Sequence, residues 1–237
     1  MNSLEIIEYL KSEASEGYKN NIVRMGIPAE YCIGVSTAIL RNFAKKLKKS
    51  NQLAFELWDT HYHEARLLSV FLFNSKDLTF CDIDNLMTEV TSWDLCDHLC
   101  KNLIIKLTNY EEYIFNWITA NHIYKRRAAF TLIASAAIHD KKISQDTLNL
   151  YLNLIYKNSN SEHEHIKKAA SWALREIGKI NYEYNEKALL LAYELLETGN
   201  KTQVWIAKDV IKELENVTKT EGRKRLISTN SKMGQNL

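Results

Sequence analysis

The sequence predicts an all-α protein, and three observations carry that reading. No Gly or Pro interrupts the chain between Gly34 and Gly178, and the single proline is Pro28. That span is crowded with Leu, Ala, Ile, Lys and Glu, most of them strong helix formers, while Asn-Gly and Asp-Gly hairpin signals are absent. Short segments also repeat. Arg126-Arg127-Ala128-Ala129 returns 41 positions later as Lys167-Lys168-Ala169-Ala170. Trp172-Ala173-Leu174-Arg175-Glu176-Ile177 is echoed 33 positions later by Trp205-Ile206-Ala207-Lys208-Asp209-Val210. Degenerate helix pairs near that period read as HEAT-like repeats stacked into a curved α-solenoid.

Taken in order, Leu4 to Arg24 reads as one amphipathic helix, with Ile6, Ile7 and Leu10 apolar amid Glu and Lys. Met25-Gly26-Ile27-Pro28 breaks it, and a loop runs to Gly34. Ser36 caps a helix over 37–49, and a short helix holds Leu53, Phe55, Leu57 and Trp58. Further helices follow over 63–73, 82–90 and from Ser92 towards Leu107. The remainder reads as helices over 110–119, 123–138, 148–156, 165–179, 186–196 and 201–214. Residues 1–217 thus form a single repeat domain, and 218–237 a loose polar tail.

With 237 residues, 46% of them apolar, the chain can bury a full core. Its four cysteines, Cys32, Cys81, Cys96 and Cys100, form no C-x-x-C pair and read as buried free thiols. His63, His98, His122 and His139 show no partner pattern and read as surface or capping residues, so no metal is expected. The opening residues carry acid and no signal-peptide core, and no stretch is long enough to span a bilayer. A cytoplasmic monomer with no membrane contact is the expectation. Net charge is only +2, but Lys45 to Lys49, Lys125 to Arg127, Lys167-Lys168 and Arg223 to Arg225 form basic clusters. Such clusters read equally as solvated helix ends or as anion-binding surfaces.

The stretch Ser92-Trp93-Asp94-Leu95-Cys96-Asp97 stands out. Ser92 suits an N-cap, and Leu95, Leu99, Leu103 and Leu107 form a core stripe. Trp93 and Asp97, four apart, share a second face. Asp94 and Asp97 are also what a helix N-terminus favours electrostatically. On the 165–179 helix, Lys168, Trp172 and Arg175 share one face, while Ala169, Ala170 and Ala173 let a neighbouring helix approach. Trp58 and Trp205 read as packing residues.

Ser92 to Asp97, Arg127-Ala128-Ala129, Lys168 to Glu176 and Glu56-Leu57-Trp58 together closely resemble the motifs of the DNA alkylation repair family, the AlkD-like DNA glycosylases. The resemblance spans Gly26 to Glu213. It implies HEAT-like repeats and excision of cationic N3- or N7-alkylated purines, such as 3-methyladenine and 7-methylguanine, from double-stranded DNA without turning the base into a pocket. It implies that Asp97 is the catalytic carboxylate, that Trp93 and Trp172 flank the damaged nucleotide, and that Arg127 contacts phosphate with Arg175 also facing the groove. Arg126 and Lys168 extend the DNA-binding set, and no cofactor is implied. Trp93, Asp97, Arg127 and Trp172 are expected to converge on the concave side, along a positive strip of Lys125, Arg126, Arg127, Lys168 and Arg175. One departure stands out: the family's glycosylases carry two helices before the position of Met25, where this chain reads as one, implying a shortened DNA clamp. The other class of function is a non-catalytic HEAT-like module that binds nucleic acid of unusual shape, or a protein.

Overall fold

The computed structural model describes residues 1–236, so Leu237 of the expected tail lies outside the described residues. The chain divides into two compact units, Met1–Thr108 and Asn109–Leu237. Both are built from helices, as the breaker-free sequence predicts.

The first unit holds α1 (Ser3–Ser12), α2 (Glu16–Arg24), α3 (Thr37–Ala44), α4 (Asn51–Trp58), α5 (His63–Leu72), α6 (Phe80–Thr88) and α7 (Trp93–Asn102). The expected single N-terminal helix is therefore two. Asn2 starts α1 with a capping box to Glu5, and the Ser15 side chain accepts from the Tyr18 N–H to start α2. A side-chain cap can begin a new helix without any Gly or Pro in the gap, so the break escaped the breaker rule.

Helix α5 is the centre of this unit, packing on α1, α3, α4 and α7. Nine of its ten residues are buried, including His63, Glu64, Arg66 and Ser69. Buried polar groups must find partners, and these do. Arg66 reaches the carbonyls of Trp58 and Glu89 and the Glu89 carboxylate, the last at 2.9 Å. Glu64, fully buried, accepts from the backbone N–H groups of Ile33 (2.8 Å), Gly34 (2.6 Å) and Val35 (3.2 Å). The Cys32 thiol lies 3.5 Å from the same carboxylate, and burial together with that charge pushes its pKa up to about 12. Cys96 and Cys100 are also buried, while Cys81 is exposed, against expectation.

Gly34 adopts φ +104°, and a Cβ there would stand 2.8 Å from the Ser15 carbonyl oxygen and 2.9 Å from Lys19 Cβ. Its own carbonyl accepts the Ser15 N–H at 2.9 Å, so this turn locks the start of α2. Gly34→Ala should lower stability by about 1–3 kcal/mol, the usual cost of a strained backbone site. Thermal melting checks this, and an unchanged melting temperature would contradict the close approach.

The second unit holds α8 (Tyr110–Trp117), α9 (Ile123–His139), α10 (Gln145–Asn158), α11 (Glu164–Gly178), α12 (Tyr182–Glu197) and α13 (Lys201–Leu214). Every residue of α9 from Arg127 to Ala137 is buried, as befits a helix covered on all sides. Helix α11 packs against α9, α10, α12 and α13. Its register with α13 is fixed by Ser171–Asp209 (2.5 Å), Arg175–Glu213 (2.6 Å) and Lys167 over the Trp205 ring (4.4 Å). Each pair is separated by the same number of residues, so the two helices run parallel. Asn185, early in α12, donates to the carbonyl of Leu214 at the end of α13, so those two run antiparallel. This is the HEAT-like repeat. The Trp172–Trp205 echo is not its register: Trp205, 37% exposed, packs its ring under Lys167 of α11.

The segment after α13 is not a loose tail. β1 (Val217–Thr218) pairs antiparallel with β2 (Ile227–Ser228). Leu226 is buried, and its N–H donates to the Lys179 carbonyl at 2.8 Å. The Arg225 guanidinium donates to the carbonyls of Ala137 and Glu176 and to the Glu176 carboxylate. A hairpin closed by the turn at Gly222, φ +75°, carried neither Asn-Gly nor Asp-Gly to announce it.

Candidate active site and nucleic-acid interface

In the first unit, helix α7 begins at Ser92, whose carbonyl accepts the Cys96 N–H. The Ser92 side chain makes no capping bond, contrary to expectation. The two acids that follow have separate fates. Asp94 accepts the Leu95 N–H at 2.8 Å and pairs with His63 of α5 at 2.8 Å, so His63 is a buried partner and not a surface residue. Burial raises the Asp94 carboxyl, but the hydrogen bond and charge of His63 outweigh it and hold the pKa below its ordinary value.

Asp97 lines an open cavity of about 320 Å³ bordered by α2, α3 and α7. It is only 8% exposed, with Lys101 one turn on at 3.7 Å. Trp93 lines the same cavity, and its indole N–H donates to the Met25 carbonyl at 3.1 Å. The indole is thereby tethered to the end of α2. Opposite stand Tyr18 and Asn21 of α2 and Arg41 of α3, which sequence reasoning missed. The available signal was Arg41 one turn from Thr37, on a face that Lys45 continues.

His98 also lines the cavity. Its Nδ1 accepts from Asn102 at 3.0 Å, a bond that needs the neutral ring. Burial is the main cause of its pKa falling from 6.5 to about 4, with Arg41 and Lys101 adding to the shift. Because the unfolded chain takes up this proton first, the group favours the unfolded state as pH drops from 6.5 towards 4. Melting temperature should fall across that window and should fall less in His98→Gln. Identical pH profiles for the two proteins would refute this role.

In the second unit, Arg127 is buried and donates to the His165 carbonyl at 2.8 Å, tying α9 to α11. Arg126 reaches the Asn158 carbonyl at 3.3 Å. Lys168 is exposed and pairs with Glu164 at 3.1 Å. Trp172 is half-buried, its indole N–H donating to Glu176 at 3.2 Å. Arg175 is held by Glu213 at 2.6 Å and Asp209 at 3.6 Å. The strip expected here is therefore not a row of free cations, because α13 brings carboxylates to Arg175 that a helical wheel cannot show. His122, read as a capping residue, does cap α9.

No group of three or more His, Cys, Asp and Glu suited to a metal occurs among the described residues. No described helix is long and apolar enough to cross a membrane.

A solved structure described as a new family of proteins related to the HEAT-like repeat DNA glycosylases, with affinity for branched DNA structures, superposes with a TM-score of 0.74. The match covers 99% of this chain and 93% of that one at 18% identity, and so speaks to the fold. No curated protein matches the sequence. The family described as DNA alkylation repair enzyme matches residues 6–214. Most of the sequence, from α1 through α13, is thus accounted for, and the chain belongs to the DNA alkylation repair enzyme family.

Proposed function

We propose that the protein is a DNA glycosylase that removes cationic N3- or N7-alkylated purines from duplex DNA. The observation that carries this reading is the Asp97 carboxylate, almost fully buried, facing a cavity beside the tethered Trp93 indole. An alkylated purine already bears positive charge. When its bond to C1′ breaks, the electron pair leaves with the base, which departs neutral and needs no acid. Positive charge then develops on the deoxyribose. A fixed carboxylate stabilises that charge and orients the water that adds to C1′, accepting its proton. An indole face adds on the order of 0.5–2 kcal/mol to cation binding.

The shortened clamp implied by the sequence does not apply, since α1 and α2 both precede Met25. Helix α2 walls the cavity and tethers Trp93, so it supports the site directly. In the second unit, exposed Lys168 and half-buried Trp172 are the surface groups best suited to meet DNA. Arg126, Arg127 and Arg175 are engaged by α10, α11 and α13 respectively.

A second reading is a non-catalytic binder of branched DNA. It is favoured by the affinity described for the superposed structure and by Lys101 standing beside Asp97. Single-turnover release of 3-methyladenine and 7-methylguanine from methylated duplex DNA decides between them. Release above the spontaneous rate supports the glycosylase. Binding to a four-way junction with no release supports the binder.

A further inference from the structure

A cleft of about 1030 Å³ opens in the second unit between the C-terminal hairpin and the ends of α9 and α11. Its inner charges are spoken for. Glu176 bonds Lys179 at 2.7 Å and Arg225 at 2.7 Å, Glu213 bonds Lys179 at 2.8 Å, and Asp140 accepts from the Tyr110 hydroxyl at 2.9 Å. The rim is different. Lys141, Arg223, Lys224 and Lys232 are all exposed lining residues, and none has a carboxylate partner among the described residues. Around this one concavity the four exposed cations outnumber Asp140, the lining carboxylate bonded to neutral donors, and so concentrate positive potential there.

Their chemistry selects the ligand. A single small anion would call for buried, converging donors, whereas these are long exposed side chains on two separated segments. A polyanion crossing the rim meets them one after another. The wall of the cleft also continues into the face already described, because Glu176 holds the Trp172 indole. Three of the four cations lie beyond Leu214, outside the residues matched by the family.

We propose that this cleft is a second DNA contact, in which Lys141, Arg223, Lys224 and Lys232 hold the sugar–phosphate backbone beyond the Trp172 face. The proposal rests on the protein binding DNA, but not on catalysis. Such a contact fixes position without reading sequence.

The test compares the full-length protein with a variant carrying Lys141→Gln, Arg223→Gln, Lys224→Gln and Lys232→Gln. Arg225 is kept, so that the hairpin stays docked. A control variant carries Lys11→Gln, Lys76→Gln, Lys157→Gln and Lys208→Gln, with the same change in net charge. Affinity for a fluorescent unmodified duplex is measured across a salt series. The slope of log affinity against log salt should shrink by about 0.9 for each phosphate that the variant no longer neutralises. Melting temperature should stay unchanged, and the control should keep the wild-type slope. A cleft variant with the wild-type slope, or a control that shifts equally, overturns the proposal. A wild type that binds DNA but releases no base sinks the glycosylase reading and leaves this comparison intact. A wild type that binds no duplex defeats the DNA reading and the cleft together.

Discussion

Asp97→Asn should slow single-turnover release of 7-methylguanine from methylated duplex DNA by about 10²–10³-fold, or roughly 2.7–4 kcal/mol. Asparagine keeps the shape of the side chain and the helix start, and removes only the charge opposing the sugar cation. Duplex affinity should stay within a few-fold of wild type, because Asp97 is a buried carboxylate and not a phosphate contact. Lys101, its neighbour at 3.7 Å, loses its counter-charge, so melting must be measured alongside. Equal release rates in the two proteins would keep the enzyme and discard this carboxylate. A neutralised Asp94 would be a poor substitute test, since that residue is bonded to His63.

Glu64→Ala should strongly destabilise the first unit. It would strip the hydrogen-bond acceptor from three backbone N–H groups at once, in a site where the carboxylate is fully buried. An unsatisfied buried donor costs about 1–3 kcal/mol. Taking the low end for each, because water can enter the space left, gives roughly 3 kcal/mol. For a chain of this length that is a fall of about 6–12 °C in melting temperature. The same change frees the loop that holds Gly34 against Ser15, so α2 and the Trp93 tether should loosen. A fall of less than about 2 °C would mean that the carboxylate is not what pins this loop.

Much of this arrangement was legible in the sequence, and the gaps have physical causes. The lack of Gly and Pro disclosed the helices, and the four-residue spacing of Trp93 and Asp97 placed both on one cavity wall. Local patterns cannot reveal partners that only packing supplies. His63 meets Asp94, and Glu64 meets residues 33 to 35, because α5 runs through the middle of its unit. A helical wheel puts Arg175 on a face with Lys168 and Trp172, but it cannot show that Asp209 and Glu213 of α13 meet it there. The boundary between α1 and α2 did leave a trace, a serine three residues before Tyr18, and it was outweighed by the absence of a breaker. The recurring tryptophans misled for the opposite reason. Composition repeated at a spacing that the ladder of Ser171–Asp209 and Arg175–Glu213 does not share.

Arg225 bonds carbonyl oxygens of residues made 88 and 49 positions before it. A chain leaving the ribosome therefore completes α9 and α11 well ahead of the group that ties their ends together. Until then Glu176 holds Trp172 and Lys179 without its third partner. The hairpin acts as a seal on a finished product. Nascent chains arrested before Arg225 should be cut by protease near Glu176 at concentrations the released protein withstands, and equal resistance would show that the seal is ornamental.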